Sequence, residues 1–108
     1  MTIRIAYMVI ATLPSRALAD TYIAWLEDGH VDAVINAGAH SAMIVRMDGS
    51  GATSADGPRR VMTQYIFPTR EVFEQYMQKH APALRGEGLK RFGPETGVSF
   101  ERMTGEIV

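Results

Sequence analysis

Residues 59–82 read RRVMTQYIFPTREVFEQYMQKHAP, and the apolar period changes inside them. Up to Phe67 the side chains alternate: Val61, Thr63, Tyr65 and Phe67 on one side, Arg60, Met62, Gln64 and Ile66 on the other. A period of two is a strand. From Thr69 the spacing becomes helical, with Val72, Phe73, Tyr76 and Met77 as the apolar stripe. Thr69 suits the N-cap, and Glu71 stands in the first turn near the positive end of the helix dipole. Pro82 then forces a stop or kink near His80-Ala81, because the residue before a proline is pushed out of helical geometry.

The same strand-then-helix unit occurs upstream. Residues 3–11 alternate Ile3, Ile5, Tyr7 and Val9 with Arg4, Ala6, Met8 and Ile10. Both sets are largely apolar, so a central strand covered on both faces is expected. A helix capped by Ser15 or Thr12 runs to about Asp28, with Leu18, Tyr22, Trp25 and Leu26 on its inner face and Gly29 as its end. A short helix over 30–37 points Val31, Val34 and Ile35 inward and stops at Gly38. A second strand covers 40–48, with Met43, Val45 and Met47 opposite Ala42, Ile44 and Arg46. Residues 49–58 hold three Gly, two Ser and a Thr and read as a mobile hairpin loop. Downstream of Pro82, a helical segment extends to Phe92 with Leu84, Leu89 and Phe92 inward. Gly93-Pro94 ends it, and a last strand spans 98–107, bent at Gly105.

The order β-α-β-β-α-β predicts an α+β, ferredoxin-like protomer, one domain over 1–108, with a four-stranded antiparallel sheet and its helices on one face. The opposite sheet face carries apolar residues that nothing in one protomer covers. A homodimer through that face, forming a dimeric α/β barrel, is therefore expected.

The composition narrows the function classes. Lys and Arg number 11 against 12 Asp and Glu, a net charge of −1, which argues against binding nucleic acid by phosphate neutralisation. No run of about 18 apolar residues offers a membrane span. The chain has no cysteine, hence no disulfide framework, thiolate nucleophile or Cys-based zinc site. Arg4, the apolar stretch 5–13 and Ala17-Leu18-Ala19 imitate a secretory signal. One charge makes a weak n-region, however, and Pro14-Ser15 opens a helix well, so strand plus helix and a cytoplasmic location are the reading.

Two stretches resemble a bacterial domain-of-unknown-function family in the dimeric α/β-barrel group. One is Trp25 to Val31, with its W-x-x-x-x-H spacing to His30. The other runs from Tyr76 through His80-Ala81-Pro82, Leu84-Arg85 and Glu87 to Arg91-Phe92-Gly93, similar to the pattern Y-x-x-x-H-A-P-x-L-R-x-E-H-x-x-R-F-G. This chain departs from the pattern at Gly88, where the pattern has its last histidine. The resemblance implies the fold and no settled activity. More distant members of the fold group include cofactor-independent monooxygenases, haem-degrading enzymes and stress-responsive proteins, and fold alone does not transmit function.

The chemistry-bearing residues admit two readings each. His30, His40 and His80 are the only histidines. Antiparallel helices of about ten residues, each about 15 Å long, keep His30 and His80 apart, so neither a metal nor a cofactor is expected. His30 is either a helix-terminal residue or a general base facing a pocket. His80, with Pro82 and Arg85, reads as a structural motif in which His80 and Arg85 satisfy carbonyls freed at the helix break. Trp25, Tyr22, Tyr65 and Tyr76 either pack as core or line a pocket between sheet and helices together with His30. Gly49-Ser50-Gly51-Ala52-Thr53 lacks the lysine of a P-loop, and neither G-x-S-x-G nor H-E-x-x-H occurs. Two functions follow as expectations. One is a small-molecule-binding protein, extending to a cofactor-independent enzyme on an apolar or aromatic metabolite. The other is a non-enzymatic homodimeric interaction or regulatory module.

Overall fold

The computed structural model describes residues 2–48 and 57–108. The hairpin-loop reading of 49–58 falls almost wholly outside them. The elements are β1 (Ile5–Leu13), α1 (Arg16–Trp25), a wide turn (Leu26–His30), α2 (Val31–Asn36), β2 (Ser41–Arg46), β3 (Arg59–Phe67), α3 (Arg70–Lys79), α4 (Ala81–Arg91), a 3₁₀ turn (Pro94–Thr96) and β4 (Ser99–Glu106). They form an α+β, ferredoxin-like fold. The sheet order is β2-β3-β1-β4, every neighbouring pair is antiparallel, and the sheet is open. No helix among the described residues is long and apolar enough to cross a membrane.

Local chemistry sets the helix boundaries. Of the two cap candidates, Ser15 starts α1: its Oγ accepts from the Leu18 N–H at 3.1 Å. Thr69 caps α3 in the same way, accepting from the Val72 N–H at 3.1 Å. The first helix was expected to reach Asp28, but α1 ends at Trp25 and the chain kinks at Asp28-Gly29. Gly29 has φ 107°, a backbone region that glycine enters without steric cost. That kink redirects the chain and brings His30 back beside Trp25. The second break falls where Pro82 requires it. His80 lies between α3 and α4, and Pro82 stands in the first turn of α4, where a missing N–H costs nothing.

Pairing register sorts the sheet into two faces. Tyr7 pairs with Tyr65 and Thr104, Val9 with Thr63 and Arg102, and Ile44 with Thr63, all on the helix-facing side. Beneath the helices the core has two parts. One gathers Ile5, Tyr7, Val34, Tyr65, Phe67, Phe73 and Tyr76; the other gathers Leu13, Ala19, Tyr22, Leu26, Val61, Phe92 and Val98. Val9 packs only at the margin of the first part, and Thr63 is buried beside it on β3.

Two inward assignments need correction. Leu89 and Ile35 are exposed. Five residues separate Leu89 from Leu84, which puts it about 140° around α4, while Gly88 and Phe92 continue the inner face. Ile35 follows the buried Val34 and so turns away from it. Gly38, with φ 134°, lets α2 hand over to β2 under α3: a Cβ there would lie 2.8 Å from Val72 Cγ1.

Candidate functional site

Between the two core parts lies a cleft with a cavity volume of about 50 Å³, open to solvent on one side. One water needs roughly 10–15 Å³ of such space, so the enclosed part takes a few non-hydrogen atoms. Tyr22, Trp25, His30, Tyr65 and Tyr76, which the sequence marks as pocket candidates, all line this cleft. Sequence reasoning missed Tyr7, Thr63, Arg102 and Phe100, and it gave Arg85 a different task. Strand alternation carried the signal for two of these: Tyr7 and Thr63 share a face with buried aromatics. Arg102 reaches the cleft because it pairs with Val9 across strands, a register that no local pattern shows.

Each wall has its own support. The kink after α1 stacks the His30 imidazole on the Trp25 indole, with centroids 4.1 Å apart and planes at 26°. Phe92 braces the indole edge-on at 5.5 Å and meets Tyr22 at 5.1 Å. Gly88 gives the indole room against α4: a Cβ there would come within 3.3 Å of Trp25 Cη2. On the opposite side Tyr7 stacks with Tyr65 at 6.1 Å and tilts against Tyr76 at 6.3 Å. Arg85 Nη2 donates to Tyr7 Oη at 3.1 Å and reaches Met77 Sδ at 3.7 Å. Arg102 lies over the Phe100 ring at 5.5 Å.

The structural roles expected of His80 and Arg85 do not hold. The His80 imidazole is exposed, and among the described residues it makes no hydrogen bond. At the break, the His80 N–H donates to the Tyr76 carbonyl, and the His80 carbonyl accepts from the Leu84 N–H. Arg85, one turn further along α4, reaches down to β1 instead. His40 is exposed beside β2, so the three histidines do not converge.

Burial sets the protonation states. It pushes the Tyr22 and Tyr76 hydroxyls up to about 12, against a smaller opposing pull from Arg102 on both and from Arg85 on Tyr76. Burial raises Tyr65 as well. The Thr63 hydroxyl favours ionisation of Tyr22 slightly without reaching hydrogen-bond geometry. The phenols are therefore neutral donors near neutral pH. Burial lowers His30 below its usual 6.5, partly offset by Glu87, so its imidazole is uncharged at neutral pH. Among the described residues, three buried polar side-chain atoms lack a hydrogen-bond partner: His30 Nδ1, Thr63 Oγ1 and Arg85 Nε.

A family model described as a domain of unknown function (DUF4286) matches residues 4–107. The chain belongs to that family. No curated protein matches it. Solved structures share its fold. A dimeric ferredoxin-like protein from an uncultured marine organism matches at TM-score 0.70 and 11% identity, covering 97% of this chain and 94% of its own. A second protein of that description, also from an uncultured marine organism, matches at 0.66 and 17%, covering 98% and 96%. An ethyl tert-butyl ether (EthD) family protein from Bacillus halodurans matches at 0.62 and 15%, covering 95% and 99%.

Proposed function

We propose that the cleft binds a small molecule with an apolar or aromatic body. One observation carries this reading: among the described residues, all three partnerless buried polar side-chain atoms belong to residues that line this one cleft. Buried polar groups without partners each cost about 1–3 kcal/mol, so native folds keep few of them. A guest that supplies the missing partners explains why they gather here. Trp25, Leu84, Leu89 and Phe100 offer the apolar wall for its body. The His30 imidazole, uncharged at neutral pH, also offers a general base to a bound guest. The test follows the indole N–H resonance of Trp25, the chain's single tryptophan, while single-ring aromatic probes are titrated. Saturable shifts of Trp25, His30 and Thr63 together are expected. Shifts scattered over the surface, with these three still, overturn the reading.

A second element of the proposal is homodimerisation through the bare sheet face. Four of the seven methionines, Met8, Met43, Met62 and Met103, lie there with Ile10, Val45 and Ile66. Met43 and Met103 are 49% and 41% exposed in the protomer, a large apolar surface for a free monomer. Sedimentation at micromolar concentration is expected to give about twice 11.9 kDa. Met62→Glu, which buries a charge in that interface, is expected to give the monomer. A wild-type monomer sinks the dimer without touching the cleft.

A further inference from the structure

The charges around the cleft are one-sided. Arg85 and Arg102 line it, and among the described residues no Asp or Glu does. Ion pairs among the described residues lie elsewhere: Arg46–Asp20, Arg60–Glu101 and Arg70–Glu106. Glu87, the carboxylate felt by His30, is exposed on α4 and is not part of the lining. Arg85 is the informative residue. Its hydrogen bonds go to a phenol and a thioether, both neutral, and among the described residues its buried Nε has nothing to donate to. A half-buried guanidinium without an anion keeps its desolvation cost unrelieved.

Resting on the cleft reading above, we infer that the guest is a small organic anion, a carboxylate attached to one planar ring. The carboxylate pairs with the Arg85 guanidinium in the cleft that Thr63 also lines, and the ring lies against Trp25 and Leu84. Guanidinium and carboxylate match as planar, two-point partners, which a round cation would not reproduce. Neutral tyrosine hydroxyls at this site donate to an anion rather than repel it. The small enclosed volume suits a flat head group, and a longer substituent leaves through the open side past Leu89.

Benzoate and benzamide are the probes, being nearly equal in shape and differing in charge. Both are titrated into the full chain near neutral pH and low salt, with the Trp25 indole resonance as readout. Benzoate is expected to bind at least about tenfold tighter than benzamide, and Arg85→Gln to erase that preference while leaving benzamide binding in place. Arg102→Gln alters an exposed side chain, so its fold is safe even if Arg85→Gln unfolds; it is expected to weaken benzoate several-fold and spare benzamide. Benzamide binding as tightly as benzoate overturns the anion inference and leaves the cleft reading standing. Benzoate preference unchanged in a folded Arg85→Gln overturns the assignment of the head group. Failure of both probes to shift Trp25 at millimolar concentration overturns the cleft reading itself.

Discussion

Phe67 and Thr63 stand on the same strand and the same face, four residues apart, and both are almost fully buried, at 0% and 1% exposure. Their surroundings are opposites. Phe67 is enclosed by rings, with Phe73 edge-on at 5.2 Å and Tyr76 at 5.2 Å. Thr63 sits at the seam, where its hydroxyl has no hydrogen-bond partner among the described residues and where Tyr22, Tyr65 and Arg85 line the same cleft. At one position burial and bonding agree; at the other they conflict. A fold tolerates that conflict where the conflict serves something other than stability.

The largest expected effect belongs to the packed end. Phe67→Ala removes a fully buried ring and leaves a cavity between Phe73 and Tyr76, at a cost of about 3–5 kcal/mol. Urea unfolding measures it directly. A loss below about 1 kcal/mol, within the range of an ordinary surface change, erases the distinction between the two regions.

The seam is expected to respond with the opposite sign. Thr63→Val keeps the shape and removes the orphan hydroxyl, so stability rises by about 1 kcal/mol. Binding of benzoate falls in the same variant if the hydroxyl serves the guest. A clear loss of stability shows that the hydroxyl is bonded in solution, and Thr63 then joins Phe67 as ordinary core.

This contrast also marks how far the sequence could be read. Alternation over Arg59–Phe67 and the stripe from Val72 to Met77 depend on local periodicity, so the strand, the helix and their order were legible, and with them the fold. Tyr22, Trp25, His30, Tyr65 and Tyr76 were legible as candidates because each is a conspicuous side chain on an inner face. Arg85 and Arg102 were not. Their place depends on a hydrogen bond across 78 positions and on strand register, neither of which leaves a local trace. His80 misled for the complementary reason. A proline after a helix suggests unsatisfied carbonyls for a nearby side chain to bond, but Pro82 stands in the first turn of α4 and the His80 imidazole is left to solvent. His80→Ala is accordingly expected to change stability by no more than about 0.5 kcal/mol, the range of a surface change.

The smallest effect, and the one that sharpens the contrast most, is the pH response of His30. Its folded pKa lies below the unfolded value near 6.5, because burial beside Trp25 opposes the charge more than Glu87 favours it. Between those two values the unfolded chain binds the extra proton. Stability from the neutral imidazole is therefore complete above about pH 6.5 and declines as pH falls toward the folded pKa. His30→Gln cannot take up that proton, so its urea midpoint is expected to fall less than the wild type's from about pH 7.5 to about pH 5.5. His40, His80 and the carboxylates are common to both proteins, and the difference between the profiles isolates His30. Glu87→Gln removes the opposing carboxylate and is expected to steepen the wild-type decline. Parallel profiles for wild type and His30→Gln mean that the imidazole is as well solvated as an exposed one, and the seam then closes over Trp25 without it.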